Sequence, residues 1–321
     1  MKTVTHTRIK ISLSAIALAC SIGISGCATT QKTTADTADS VTASFVMPRY
    51  QSATLDNGLQ VKLMVQKEVP LVTIDAVVRA GAVNDITSGM AYITSQSLLL
   101  GAAGQSKADI EQQLDFIGAS IDTNADLEGS YIRANMMSKD VDTVLDIFSH
   151  VLRQPDFDSA EFDKLKQREI VGLSQQKESP RAVIGRYFNK LVFGDHPYAN
   201  PVSGNSDTIG KLSVEELRAF HKGYYQPSNM TINVVGDFDV ADMTAKLNKA
   251  FGDWQTTETV VQPDLSQHLP TLTQPHVLLV DKPDAIETTF LIGGVGIRYD
   301  NPDYVGLTVV NTILGGRFTS W

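Results

Sequence analysis

The chain has 321 residues, of which 42% are hydrophobic and 20% charged, a composition typical of globular proteins and a length sufficient for two domains. Its formal net charge of −9 argues against nucleic acid as a partner. The two cysteines, Cys20 and Cys27, both lie within the first 27 residues, so the rest of the chain has no thiol for a disulfide or a thiolate metal site.

Residues 1–26 have the pattern of a targeting segment. Three basic residues and no acid precede an apolar run over 11–24. This run is shorter than the ~20 apolar residues that span a bilayer. The run ends in Ile24-Ser25-Gly26-Cys27, which resembles the bacterial lipobox, where the cysteine is lipidated and becomes the mature N-terminus. This resemblance predicts lipidation at Cys27, and Ala28 after it favours the outer membrane. An ordinary secretory signal and lipidation at Cys20 are the alternatives.

Residues 27–47 are rich in Thr, Ala, Asp and Ser and contain little that could be buried, so we expect a disordered tether. Roughly 20 such residues have a root-mean-square reach on the order of 25 Å. The sequence therefore predicts a protein in the cell envelope that is held near the membrane by a lipid anchor, facing the periplasm.

From residue 48 onward, strand and helix patterns alternate. Period-two alternation and β-branched residues predict strands over 59–65, 71–79, 120–124, 130–137 and 231–236. Helical patterns predict helices over 86–100, from 106 onward, and over 141–152, 159–176, 179–193, 214–224 and 240–251. Ser106 with Asp109 three residues later is typical of a helix N-terminus. These elements predict a domain over residues 48–258.

An internal repeat extends the pattern. Residues 61–104 and 277–316 share one plan: strand, turn with Lys and Pro, longer strand, polar turn, helix, then Leu-Gly. An offset this long indicates a duplicated domain rather than a solenoid unit. It predicts a linker over 259–275 and the start of a second homologous domain over 276–321. Because the second copy has supplied only two strands and one helix by Trp321, we expect a truncated domain.

A family resemblance follows from these segments. Arg79–Ala82 and Gly89–Gly101 resemble the part of pitrilysin/insulinase-like peptidases that carries the inverted zinc motif H-x-x-E-H. Four later segments are similar to family landmarks in order and spacing: 195–198, 220–227, 233–237 and 314–318. The resemblance covers about residues 48–320. It implies an α+β fold of the LuxS/metallohydrolase-like (mitochondrial processing peptidase-like) kind, a mixed sheet backed by helices, duplicated, with the second copy truncated.

The zinc motif itself is degenerate. Tyr92 stands at the first histidine, Ser95 at the glutamate base and Gln96 at the second histidine. Zinc needs neutral imidazoles and a carboxylate, and hydrolysis needs a general base, which these side chains do not supply. The family's third ligand would fall near residues 172–174, where the nearest acid is Glu169. The resemblance thus implies no catalytic residue, no metal and no cofactor in this chain. An unrelated helix at this position is the alternative.

The resemblance implies a catalytically inactive peptidase-like subunit that pairs with a zinc-bearing homologue and helps bind peptide substrates for proteolysis. Zinc is expected only in that partner. The predicted contact with extended peptides is strand addition along Ile121, Asp122, Thr123, Asn124 and Ala125, where main-chain hydrogen bonds tolerate many sequences. Two other functions stay open: a stand-alone peptide-binding or chaperone-like lipoprotein, and an active metallopeptidase with an atypical site.

Overall fold

A computed structural model describes residues 48–316, except for 258, 268, 272 and 284. The predicted signal segment 1–26, the tether 27–47, the lipidation site Cys27 and the last landmark residues, 317–318, lie outside the described residues. Those assignments stay predictions. Within the described ranges, no helix is both long and apolar enough to cross a membrane.

A six-stranded mixed sheet forms the centre of the fold. Its strands are β1 (Gln51–Thr54), β2 (Gln60–Val65), β3 (Leu71–Val78), β6 (Ser120–Ala125), β7 (Ser130–Met137) and β8 (Met230–Gly236). The order across the sheet is β1-β2-β8-β3-β7-β6, with β2 and β8 parallel and every other neighbouring pair antiparallel. Two short strands, β4 (Gly101–Ala102) and β5 (Gln105–Ser106), pair separately. Because β6 is the last strand in the order, one of its edges has no partner strand within the described part of the chain.

Most of the described helices follow the predicted pattern, although the short helix Ser206–Lys211 was not predicted. They are α1 (Met90–Ser97), α2 (Lys107–Ile117), α3 (Val141–Arg153), α4 (Ser159–Gln176), α5 (Pro180–Phe193), α6 (Ser206–Lys211), α7 (Val214–Tyr224), α8 (Val240–Phe251) and α9 (Tyr304–Gly315). The Ser106 hydroxyl accepts from the Asp109 N–H, and the Asp109 carboxylate accepts from the Ser106 N–H, which confirms the predicted capping box. The predicted combination of a mixed sheet with helices in an α+β fold is confirmed.

The core lies between the sheet and its helices. Alternate residues of β3 and β8 are buried, as period-two strands with one covered face require. On β3 the buried side chains are Val72, Ile74, Ala76 and Val78. Helix α3 contributes the largest buried stripe, which includes Phe148, and Phe148 meets Phe251 of α8 edge to face at 6.4 Å between ring centroids.

Two sequence predictions are wrong, one in its extent and one entirely. The helix predicted over 86–100 forms only from Met90 to Ser97, followed by a 3₁₀ turn at Leu98–Leu100, because Gly89 has φ 96° and interrupts right-handed helical geometry. The two strands predicted within 277–296 do not form among the residues described there. A strand needs a neighbour for its main-chain N–H and C=O groups, and no described strand pairs with this segment. The helix predicted after these strands, near the end of the repeat 277–316, is confirmed as α9.

Candidate functional site

Helix α1 carries the three motif positions, and its start is fixed by two residues. Asp85 accepts hydrogen bonds from Gly89 N at 2.7 Å and Ala91 N at 2.8 Å, which satisfies N–H groups that a helix start leaves free. A Cβ at Gly89 would lie 2.6 Å from Ile209 Cδ1 and 3.0 Å from Gly204 Cα, so only glycine fits. Burial raises the pKa of Asp85 to about 7, against the opposing effect of the Ala91, Gly89 and Met90 N–H groups.

Tyr92, at the first degenerate position, points toward helix α4. Its hydroxyl donates to Glu169 Oε2 at 3.2 Å. Burial raises the pKa of Tyr92 to about 12, and the Glu169 carboxylate adds to the effect, so the phenol stays a neutral donor. The Arg168 Nε lies 3.8 Å from Glu169 Oε1, but the Arg168 side chain is 65% exposed and that of Glu169 only 19%. This surface ion pair is weak, because the distance is long and water screens it.

Ser95 and Gln96 bind the main chain of the edge strand. Ser95 Oγ donates to Asn124 O at 3.0 Å, and Gln96 Nε2 donates to Thr123 O at 2.8 Å. The two positions at which the motif would have a general base and a metal ligand therefore fasten α1 to β6.

The direction of the main-chain groups of β6 follows from the ladder. Asp126 N donates to Gly129 O, so these two residues form a hydrogen-bonded pair. Hydrogen-bonded pairs alternate along an antiparallel ladder. The next ones on β6 are therefore Asn124–Tyr131 and Asp122–Arg133. The main-chain groups of Ile121, Thr123 and Ala125 consequently face outward, away from β7. Gln96 donates to Thr123 O. Among the described residues, the outward-facing groups of this edge that have no partner therefore lie at Ile121 and Ala125 and at Thr123 N.

All five predicted peptide-contact residues thus lie on the edge strand, but not equivalently. The side chains of Ile121 and Ala125 are buried against the helices, whereas Asp122 and Asn124 are exposed on the other face. Two of the five, Asn124 and Ala125 at the end of the strand, border a cavity.

That cavity, of about 250 Å³, opens between α1, β6 and α4. Its lining residues are Tyr92, Asn124, Ala125, Glu169, Gly172, Leu173, Gln176, Val202 and Ser203. Arg186 of α5 stabilises the wall of the cavity near the C-terminal end of α4. Its guanidinium donates to Gln176 Oε1 at 3.0 Å, Ser203 Oγ at 2.8 Å and Gly204 O at 3.1 Å.

Sequence reasoning missed most of this wall. Glu169 was the one signal available, as the acid nearest to the expected third ligand, although its contact with Tyr92 joins residues 77 apart. Nothing in the local pattern of Val202 and Ser203 indicates that they line the same cavity.

The residues present do not fit zinc. Neither the Tyr92 phenol nor the Gln96 amide replaces an imidazole, and both are engaged with Glu169 and Thr123. Across the part of the chain that the structure describes, no group of three or more His, Cys, Asp or Glu side chains could hold a metal ion. His221 is bound to Leu152 O at 2.8 Å, and burial lowers its pKa to about 4. His196 contacts Tyr198 N and Leu265 O.

Comparison with known proteins gives concordant matches. Residues 62–206 match the family described as insulinase (peptidase family M16), and residues 211–321 match the peptidase M16 inactive domain. An uncharacterized zinc protease of Bacillus subtilis is 21% identical over 83% of this chain and 64% of that protein. Subunit 1 of the mitochondrial cytochrome b-c1 complex of Caenorhabditis elegans is 23% identical over 84% of this chain and 56% of that protein.

The fold also matches a solved structure. A peptidase M16 inactive domain from Pseudomonas fluorescens has a TM-score of 0.68 and 24% identity, and the match covers 84% of this chain and 65% of that one. The chain spans less than two thirds of the length of each of these three proteins.

Proposed function

We propose that this chain is a catalytically inactive peptidase-like subunit, because residues 62–206 match the insulinase family of peptidase M16 and residues 211–321 match the peptidase M16 inactive domain. It pairs with a zinc-bearing homologue and helps bind extended peptides for proteolysis in the cell envelope. In this proposal zinc belongs to the partner chain alone. The lipid anchor at Cys27 holds the chain at the outer membrane, facing the periplasm.

One observation supports the proposal that this chain has no catalytic activity. Tyr92, Ser95 and Gln96, at the three chemical positions of the motif, each donate a hydrogen bond to another part of this chain. A general base must be able to accept a proton from water, and a ligand must offer a free lone pair to the metal. A serine hydroxyl is too weak a base to take a proton from water, and the amide nitrogen that Gln96 directs at Thr123 O has no lone pair to offer a metal.

Pairing is supported by the kinds of proteins that the chain resembles. One relative is named as a zinc protease and another as a subunit of a complex, so at least one related chain works within an assembly by its name. Chains with a degenerate site gain a role in proteolysis only when another chain supplies the chemistry. Peptide binding is the part of that work that the unpaired β6 edge can perform.

The experiment is to express the full chain with and without a homologue that contains H-x-x-E-H and to follow cleavage of a quenched fluorescent peptide. We expect no activity from this chain alone. We expect activity from the pair that is lost with a chelator and restored by zinc. The homologue carrying a Glu→Gln change in its H-x-x-E-H motif is the control.

Two outcomes would contradict the proposal. Chelator-sensitive cleavage by this chain alone would establish an atypical active peptidase. Peptide binding by a lone monomer purified from native membranes, with no stoichiometric partner, would establish the stand-alone binding lipoprotein instead.

A further inference from the structure

The cavity beside the edge strand contains one carboxylate among otherwise uncharged walls. We propose that it binds the basic side chain, lysine or arginine, of an extended peptide that pairs with β6. This inference rests on the proposed peptide-binding function and names the residue class that the site selects.

The position of the cavity suits a side chain that enters from a paired strand. It is bordered by Asn124 and Ala125, at the end of β6 where the main-chain groups of Ala125 face outward. Successive side chains of an added strand point to opposite faces of the sheet. Alternate side chains of a peptide paired there would therefore point to the face on which α1 and α4 pack, where the cavity opens.

The size of the cavity fits one side chain. Sites for whole small-molecule ligands have volumes of roughly 300–1,000 Å³, and this cavity has about 250 Å³. Leu173, Val202 and Ala125 give it an apolar wall, which suits the methylene stem of lysine or arginine. Asn124, Gln176 and Ser203 supply uncharged polar groups.

The charge of the cavity decides the chemistry of the head group. Glu169 is its carboxylate, and Tyr92, the other ionisable lining residue, is a neutral hydroxyl that donates to Glu169 Oε2. Among the described residues, the second oxygen, Oε1, has a single polar contact, the 3.8 Å approach of the exposed Arg168. Arg186 lies behind Gln176 and Ser203 at the opposite wall, so the cationic head group belongs at the Glu169 end.

Peptide binding to the full chain tests this. One capped, extended peptide sequence is synthesised with lysine, arginine, norleucine or glutamate at a single central position, and affinities are measured by fluorescence anisotropy. We expect the lysine and arginine peptides to bind about tenfold more tightly than the norleucine peptide, the effect of one charged hydrogen bond in a partly buried site. The glutamate peptide should bind most weakly.

Two variants test whether Glu169 causes the preference for lysine and arginine peptides. Glu169→Gln should abolish this preference while leaving the affinity for the norleucine peptide unchanged. The matched control, Asp163→Asn, removes one negative charge from the same helix at a side chain that is 73% exposed and does not line the cavity. It should keep the preference. If Glu169→Gln fails to fold, Gln176→Lys places a competing cation in the cavity and should also remove the preference.

The outcomes separate this inference from the proposed function. Equal affinity for all four peptides, or a preference that Glu169→Gln leaves unchanged, would overturn the basic-side-chain pocket and leave peptide binding intact. Absence of binding for every peptide would overturn both.

Discussion

Gln96 illustrates how one substitution changes the use of an edge strand. At this position a histidine would direct its nitrogen to a metal, whereas the Gln96 amide donates to Thr123 O, one of the outward-facing main-chain groups of β6. A peptide that adds to this edge must displace the Gln96 amide or forgo the bond to Thr123 O. Under the proposed function, Gln96 would therefore compete with a paired peptide for Thr123 O, in the middle of the β6 edge.

Gln96→Ala should raise peptide affinity. Removing the competing donor frees Thr123 O for a peptide N–H, and one net hydrogen bond of about 1 kcal/mol corresponds to roughly fivefold in the dissociation constant. Fluorescence anisotropy with the norleucine peptide measures the change. Gln167→Ala, an exposed glutamine on α4 that does not line the cavity, is the control and should leave affinity unchanged. Weaker binding by Gln96→Ala would show that the amide supports the edge instead of blocking it.

His221 provides a residue-scale prediction for stability. Its ring is buried, stacked on Tyr225 at 4.8 Å between centroids, and burial lowers its pKa from 6.5 to about 4. The unfolded chain therefore binds more protons than the folded chain between these two values, so stability is full above pH 6.5 and falls as the pH is lowered to 4. The loss amounts to about 3 kcal/mol at pH 4.

Urea unfolding of the wild type, His221→Gln and His276→Gln at pH 7 and pH 4.5 tests this assignment. The stability of His221→Gln should fall less between the two pH values, because its buried side chain does not titrate. His276 is exposed, so its replacement should leave the pH dependence of the wild type unchanged. Identical pH dependence in all three proteins would refute the role of His221.

At the scale of elements, the predicted linker binds to the domain before it. Gln262 Nε2 donates to Arg79 O at 2.8 Å and to Asn229 Oδ1 at 2.9 Å, and Gln262 Oε1 accepts from Asn84 Nδ2 at 3.2 Å. Farther along, Leu265 O contacts His196 Nε2 at 3.1 Å. These contacts satisfy main-chain and amide groups at the ends of β3 and β8, so the segment is part of the domain surface.

Gln262→Ala should release this segment. The loss of three partly exposed hydrogen bonds favours local opening, and we expect cleavage within 259–271 by a broad-specificity protease to accelerate roughly fivefold. Mass spectrometry of limited digests locates the cuts. The control is Gln267→Ala, because the Gln267 amide donates to Asp264, which lies inside the same segment. Unchanged cleavage of Gln262→Ala would mean that other contacts hold the segment.

The elements also show what a sequence can predict. Helices α7 and α8 have the predicted bounds because local signals define them: Ser213 and Asp239 accept hydrogen bonds from the first-turn N–H groups. Helix α1 is shorter than predicted because the fit of Gly89 against Ile209 and Gly204 depends on residues more than a hundred positions away. The cavity was not predictable for the same reason, since its walls come from four separate segments.

At the scale of the whole molecule, attachment to the membrane is expected to decide where the chain meets a partner and peptides. Each acyl methylene that enters the bilayer contributes ~0.8 kcal/mol, and stable attachment takes more than one chain, as a multiply acylated cysteine supplies. The tether predicted over residues 27–47 would keep the folded part within a reach on the order of 25 Å of that cysteine.

Cys27→Ala should remove both the lipid and the attachment. Cells grown with a labelled fatty acid should incorporate label into the wild type and into Cys20→Ala, the matched control, and both proteins should sediment with the outer membrane. Cys27→Ala should lack label and leave the outer-membrane fraction. Label lost from Cys20→Ala alone would move the anchor to Cys20, and a wild type without label would indicate an ordinary secretory signal.

Because the anchored chain is confined to a thin layer at the membrane, its effective concentration toward an anchored partner is raised. Release of the chain should therefore weaken pairing even though every residue of the folded part is unchanged.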